Sequence, residues 1–320
     1  MPIDDKSAKG MQRIGELLPA IIKPHHKPLT PIQERLLSMP LPDEEAQSIL
    51  YQHSVLCQTC MPYRDPGEAV RLWQRKNGIV RLELQAGRLL DPTTDDFVDV
   101  GLPFGPKPRL VLYHLNAEAL RTQSPNIELD DSLTAFVKRT LGLDVGGRTI
   151  KTVKEQLNRL AAADFRLGAS QDGRSITIKG TVIEGLELWT PKDARQRVLW
   201  PTHVQFSMRY FESLMQHAVP LNESAVARLS HSAMALDVYT WLAQRLHRVD
   251  PSKAAFVPWV SLKDQFGHGY HRMDNFKRVF RTTLRQVAVV YREAKFSLDG
   301  KGMRLLHSQP PVMRRLLQIK

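Results

Sequence analysis

Cysteine is almost missing from this chain: it has two, Cys57 and Cys60, in the stretch HSVLCQTC that also holds His53. A zinc site needs about four ligands, and no second Cys or His pair follows at finger-like spacing, so no metal or other cofactor is expected. A disulfide between them is not expected in a reducing compartment either. Long hydrophobic runs are missing too. None approaches the roughly 18 to 20 residues of a membrane span, and Met1 to Arg35 lacks the apolar core of a secretory signal, so a cytoplasmic protein with no membrane partner is expected. No stretch of the form GxxxxGK[ST] occurs, which leaves ATP hydrolysis by a P-loop unsupported. Acidic residues are in deficit. Against 45 Lys and Arg there are 33 Asp and Glu, a formal net charge of +12, and a surplus of that size attracts polyanions, of which nucleic acid is the commonest in the cytoplasm.

The surplus is unevenly placed. In NFKRVFRTTLRQVAVVY, residues 275–291, the apolar Phe276, Phe280, Leu284, Val287 and Tyr291 recur at helical spacing, while Lys277, Arg278, Arg281 and Arg285 fall between them. From Tyr270 to Arg292 there are six cations, Arg272 and Arg292 included, against the single anion Asp274. A core helix with a merely solvated outer face would have the same pattern. Its context in the chain separates the two readings.

Residues 1–50 are polar and broken by prolines, and are expected to be a mobile arm. From Val55 to Phe104 short strands with turn signals follow, including the alternating stretch GIVRLELQAGRLLD. After Arg109 come three helical stretches, RLVLYHLNAEALR, DSLTAFVKRTLG from a capping Ser132 to Gly142, and RTIKTVKEQLNRLAAADF, and then the alternating FRLGASQDGRSITIKGTVIEGLELW around the turn QDGR. Helix, helix, helix, hairpin is the layout of a winged helix. The order returns in SHSAMALDVYTWLAQRLHR, FVPWVSLKDQFG, RMDNFKRVFRTTLRQVAVVY and the hairpin AKFSLDGKGMRLLHS. The expectation is an α+β protein of two tandem winged-helix domains, residues 51–205 and 206–320, joined near Thr202 to Phe211.

In that layout the basic helix is the third of its unit, the one presented to the DNA major groove. The candidate DNA-binding residues are therefore Lys277, Arg278, Arg281 and Arg285, with Arg278 and Arg281 placed outermost, together with Arg272. The second hairpin adds Lys295, Lys301 and Arg304. In the first unit they are Arg148, Lys151 and Lys154 on the third helix and Arg174 and Lys179 on the hairpin.

The stretches MPYRDPG, LWQRKNG, VGLPFGPKPRLVLYHLNAEALRTQSPNIEL, WVSLKDQFGHGY and FKRVFRTTLRQVAVVYREAKFSLDGKGMRLLHSQPP resemble, in order and over about residues 53–311, the plasmid-encoded RepA-type replication initiators of Gram-negative bacteria. The resemblance implies a protein that binds iteron repeats in double-stranded DNA at a plasmid origin and recruits host helicase and other replication proteins. It also implies a monomer-dimer equilibrium in which the dimer represses its own gene. The C-terminal unit would be the principal reader, and the N-terminal one would serve dimerisation and phosphate contacts. A sequence-specific transcriptional repressor without replication activity is the alternative.

Some plasmid initiators nick DNA with a tyrosine and a metal-binding His pair. Here His25 and His26 are adjacent in a loop stretch, His268 and His271 have two residues between them in a turn, and Tyr291 belongs to the apolar stripe, so no catalytic residues are expected. In the arm, LLSMPL from Leu36 to Leu41 resembles the sliding-clamp-binding hexapeptides of form QLSLPL, with Leu36 at the Gln position; a short helix packed on the first unit is the alternative. Calorimetric titration of a peptide of residues 31–45 against the host clamp separates the two readings: heat of binding would favour the clamp motif, and no heat at about 100 μM clamp would place any affinity weaker than about 5 kcal/mol.

Overall fold

The computed structural model describes residues 48–91, 94–171, 174–189 and 200–312. The expected arm, up to residue 47, and the hexapeptide within it lie outside the described residues. Strand β1 (Ile49–His53) runs into a short helix α1 (Ser54–Gln58), capped by His53, whose Nδ1 accepts the Val55 N–H at 3.2 Å. Strands β2 (Leu72–Asn77) and β3 (Val80–Gln85) form a hairpin. GIVRLELQAGRLLD, expected as one strand, is two: β3 ends, and β4 (Arg88–Asp91) turns away to pair with β5 (Asp96–Asp99). Gly87 is the reason. A Cβ there would collide with the carbonyl oxygen of Ala162, so only glycine lets the chain pass that point.

Helix α2 (Pro106–Thr122) starts on a proline, whose missing N–H has no intrahelical partner to lose there. After β6 (Asn126–Glu128), helix α3 (Leu133–Ala135) is capped by Ser132, which accepts the Ala135 N–H at 3.2 Å, and widens into a π-helix over Phe136–Thr140. It ends before Gly142, as the sequence predicts. Helix α4 (Gly147–Ala162) buries Val153, Leu157 and Leu160 along one face. Strands β7 (Asp164–Gln171), β8 (Arg174–Thr181), β9 (Ile183–Trp189) and β10 (Trp200–Phe206) follow.

Their pairing corrects the expected first wing. β9 and β10 join β6 in a sheet of order β6–β10–β9, while the QDGR hairpin, β7 with β8, extends β2 and β3 into a separate sheet of order β2–β3–β7–β8. Leu82 faces Leu167 and Leu84 faces Phe165 across β3 and β7, all four buried, and this apolar match recruits β7 to β3. Period-two alternation marks a strand but not its partner. Arg174 and Lys179 thus sit on β8 in the second of these sheets, outside the three-stranded one.

The segment expected as a joint near Thr202 to Phe211 holds the end of β10 and the start of helix α5 (Met208–His217), capped by Ser207. Strand β11 (Ala218–Asn222) and helix α6 (Glu223–Leu229) come next. Then follow α7 (Ala233–Arg245), β12 (Ala255–Pro258), α8 (Trp259–Phe266), α9 (Met273–Val290), β13 (Phe296–Leu298) and β14 (Gly302–Leu305), with sheet order β12–β14–β13. The chain is α+β, and α7, β12, α8, α9, β13 and β14 run helix, strand, helix, helix, two strands, with the last strand in the middle of the sheet; α2, β6, α3, α4, β9 and β10 repeat that order with the β7–β8 hairpin inserted before the last two strands. That is the order of a winged helix.

Contacts cross the 205/206 boundary. β1 pairs antiparallel with β11, from Ile49 with Asn222 to His53 with Ala218, and one cluster of buried apolar residues extends from Leu50 to Leu305. In its middle Arg109 of α2, 1% exposed, donates from Nε and Nη2 to the two carboxylate oxygens of Asp237 of α7 at 2.6 and 2.8 Å. Its other N–H groups reach the carbonyls of Met61 at 2.8 Å and Gly105 at 2.6 Å. Burial alone would lower the guanidinium's pKa, but the facing carboxylate and the hydrogen bonds to it hold it above its usual value.

Replacing Asp237 with alanine leaves that guanidinium buried and unpaired, and is expected to cost about 3 to 5 kcal/mol in urea unfolding, whereas the double change Arg109→Met with Asp237→Leu is expected to cost less than the single one.

Candidate nucleic-acid interface

Helix α9 is built from its apolar stripe outward. Phe276, Phe280, Leu284 and Val287 are fully buried, each contributing about 1.5 to 3 kcal/mol by burial, and Tyr291 just beyond the helix closes the stripe with its hydroxyl donated to the Gln309 carbonyl at 2.7 Å. Trp259, at the start of α8, stands edge-on to Phe276 and Phe280 with centroids 6.4 and 6.1 Å away. Its indole N–H donates to the Asp299 carbonyl at 2.9 Å, so the second helix, the third helix and the wing meet at this one side chain.

With the stripe buried, the rest of the helix is fixed in orientation. Taking about 100° per residue from Phe280, Arg278 and Thr282 lie about 160° round on either side and Arg285 and Asn275 about 140°, whereas Arg281 lies at about 100° and Lys277 at about 60°. The crest therefore belongs to Asn275, Arg278, Thr282 and Arg285. Arg281, exposed as the sequence reading expects, stands with Lys277 on the side of the helix that faces Trp259: Arg281 Cζ is 5.5 Å and Lys277 Nζ 5.2 Å from the ring centroid. Arg278 and Arg281 are exposed, and Lys277 and Arg285 are half-buried. Arg278 donates to Asn275 Oδ1 at 2.7 Å. Arg272 forks onto Asp274 at 3.1 and 2.7 Å, and this hydrogen bonding holds the carboxyl below the usual range.

The wing turn is closed by Asp299, whose Oδ1 accepts the N–H groups of Lys301 at 2.7 Å and Gly302 at 2.8 Å. Gly302 is required: a Cβ there would collide with the Val257 carbonyl of the neighbouring strand. Lys295, Lys301 and Arg304 are all exposed. Arg304 lies over the Phe256 ring at 5.7 Å and 3.7 Å from Asp299, so it is partly engaged while the two lysines point outward from the hairpin's base and tip.

On α4, Arg148 and Lys151 are exposed and Lys154 half-buried, again opposite the buried face. Not every cation in this unit is available. Arg159 is spent inside the fold, on the Leu102 carbonyl at 3.1 Å, on Glu155 at 2.8 Å and over the Phe104 ring at 5.0 Å. Trp259 and Asn275 were missed by sequence reasoning. Both lie in recognised helices, but nothing in their spacing signals a partner.

Several described residues of catalytic type are engaged in packing or hydrogen bonds. His268 packs edge-on against Trp73 at 4.3 Å, and burial, then Arg75, lowers its pKa. A buried Ser213 lies 2.9 Å from His53 Nε2, but His53 Nδ1 already accepts a backbone N–H, so the neutral ring carries its proton on Nε2 and donates to the serine instead of activating it. Burial and then His217 push His53 down to about 4, which keeps it neutral. Both thiols are buried, and burial pushes Cys57 and Cys60 up, away from the thiolate form. Among the described residues no three His, Cys, Asp or Glu side chains gather as a metal-ligand set, and no helix is long and apolar enough to cross a membrane.

A family model described as plasmid encoded RepA protein matches residues 102–261. No curated protein matches. Two solved structures are similar: the crystal structure of selenomethionine derivatives of domains 2 and 3 of RctB, at 9% identity and TM-score 0.49, covering 79% of this chain and 95% of that one, and a second crystal structure of RctB domains 2–3, at 9% identity and TM-score 0.46, covering 78% and 94%.

Changing Lys295, Lys301 and Arg304 together to alanine is expected to flatten the dependence of log affinity for duplex DNA on log salt by about 0.9 for each phosphate no longer neutralised. An unaltered slope in the triple variant would remove this wing from the interface.

Proposed function

The chain belongs to the family of plasmid-encoded RepA proteins, and from that premise we propose that it initiates plasmid replication by binding repeated sites in double-stranded DNA at the origin. The observation that carries this is the placement of α9. Its apolar stripe is wholly buried, it occupies the third-helix position of a winged-helix connectivity, and its crest and one flank carry Arg278, Arg281, Arg285 and Lys277. The role is binding, not catalysis: the bound protein brings host helicase and other replication proteins to the origin.

The first unit is assigned phosphate contacts through Arg148, Lys151 and Lys154, and self-association. For the latter the strands between Val80 and Val100 offer a candidate surface, since strand edges need a partner or a cover. β3 is flanked by β2 and β7, but among the described residues β4 and β5 pair only with each other in a two-stranded sheet, which exposes Leu90 (47%) and Phe97 (60%) as a cross-strand pair. A dimer through this hairpin would account for autorepression. A transcriptional repressor lacking replication activity uses the same DNA-binding geometry, so the two readings part on replication itself.

A vector without its own origin, given this gene and its cognate origin, is expected to be maintained in a bacterial host and to disappear from it when Arg278, Arg281 and Arg285 are changed to alanine. Repression of the gene's promoter without maintenance would favour the repressor.

A further inference from the structure

We infer that the cations of α9 divide into two groups with different targets: Arg278, held by Asn275, reads a guanine in the major groove, whereas Lys277 and Arg281, held on Trp259, grip the sugar-phosphate backbone. This rests on the reading of α9 as the DNA-contacting helix and goes beyond it by assigning a role to each side chain.

Two independent observations separate the groups. The first is position. Arg278 is on the crest, opposite the buried Phe280 and in the second turn of the helix, and it is the N-terminal residues of a recognition helix that reach base edges. Lys277 and Arg281 are one turn apart on the flank that faces α8 and the wing, where Lys277 Nζ lies 3.4 Å from the Gly300 carbonyl of the wing turn. A duplex seated on the crest runs its backbone along that seam.

The second observation is what restrains each head group. Arg278 is fixed by a directional hydrogen bond from Nη2 to Asn275 Oδ1 at 2.7 Å. That bond uses one of five N–H donors, so the fork that matches the O6 and N7 acceptors of guanine remains available, already oriented. Asn275 holds the arginine through its carbonyl oxygen and is a positioning residue. Lys277 and Arg281 are restrained through the face of an aromatic ring, which sets their distance from the helix without fixing a hydrogen-bonding direction. A non-directional restraint suits a phosphate, which accepts from many angles. Trp259 is itself locked by its N–H bond to the Asp299 carbonyl and by Phe276 and Phe280, so it sets where those two charges stand relative to the wing.

The test is selection from a randomised duplex library of about 30 base pairs with the full chain, followed by titration of the selected duplex over a range of salt. Wild type is expected to select a consensus containing a guanine that the Arg278→Ala variant no longer prefers, with affinity for that duplex reduced about 5- to 150-fold. Asn275→Ala is expected to weaken the same preference while leaving the salt slope alone. Lys277→Ala with Arg281→Ala is expected to select the wild-type consensus, to bind every duplex more weakly, and to show a slope shallower by about 0.9 for each phosphate no longer neutralised. Trp259→Phe, which keeps an aromatic face and spares the core, is expected to select the same consensus with uniformly weaker binding. An Arg278→Ala variant that selects the same guanine, or a Lys277/Arg281 variant that changes the consensus, overturns the division. Wild type selecting no consensus at all defeats the reading of α9 on which it rests.

Discussion

The pairing of Arg109 with Asp237 is the interaction on which the arrangement of the molecule turns. Each residue sits on the first helix of one of the two repeated units, and each is enclosed, so neither charge can be left alone. Taking either ion out of water costs several kcal/mol, and only a two-toothed contact with every remaining donor satisfied recovers it. Such a contact tolerates little sliding. It therefore sets the register of α2 against α7, and through them of what each supports: α4 packs on α2, while α9 packs on α7 with Thr283 donating to Met234 sulfur at 3.6 Å. Both third helices are thus referred to one ion pair.

Seen from there, the excess of positive charge is two populations. Some arginines are internal fasteners. Arg71 holds the root of the β4–β5 hairpin through the carbonyls of Ala86, Gly87 and Val100, and Arg75 of β2 caps the C-terminal end of α8 through the carbonyls of Asp264 and Gln265. The population left on the surface of α4, α9 and the second wing is what a polyanion meets, and it is smaller and better ordered than the net charge alone conveys.

Much of this was legible in the sequence, and the reason is local. The stripe of α9, the cap at Ser132, the stop at Gly142 and the turn at Asp299 are decided by residues within a few positions of one another. What the sequence could not reveal is decided at long range. The alternation that marked β7 and β8 as strands was correct, but their membership in the sheet of β2 and β3 depends on Leu82 and Leu84, some eighty residues earlier. The stacking of Arg281 on Trp259 joins two helices, and the spacing within either helix does not announce it. Helices α5 and α6 were missed because short helices held by tertiary packing carry little periodicity of their own.

The partnership of β1 with β11 bears on how the chain is made. β1 leaves the ribosome about 170 residues before β11 does, an interval of roughly ten to thirty seconds at ordinary rates of elongation. Through that time Leu50 and the backbone of an unpaired strand must wait beside a half that is otherwise complete. This pairing, which ties the earliest described segment of the chain to residues 218–222, can form only once β11 has emerged. A nascent chain of this protein thus carries an open strand edge at a place that the finished molecule closes with an antiparallel ladder from Ile49 to His53.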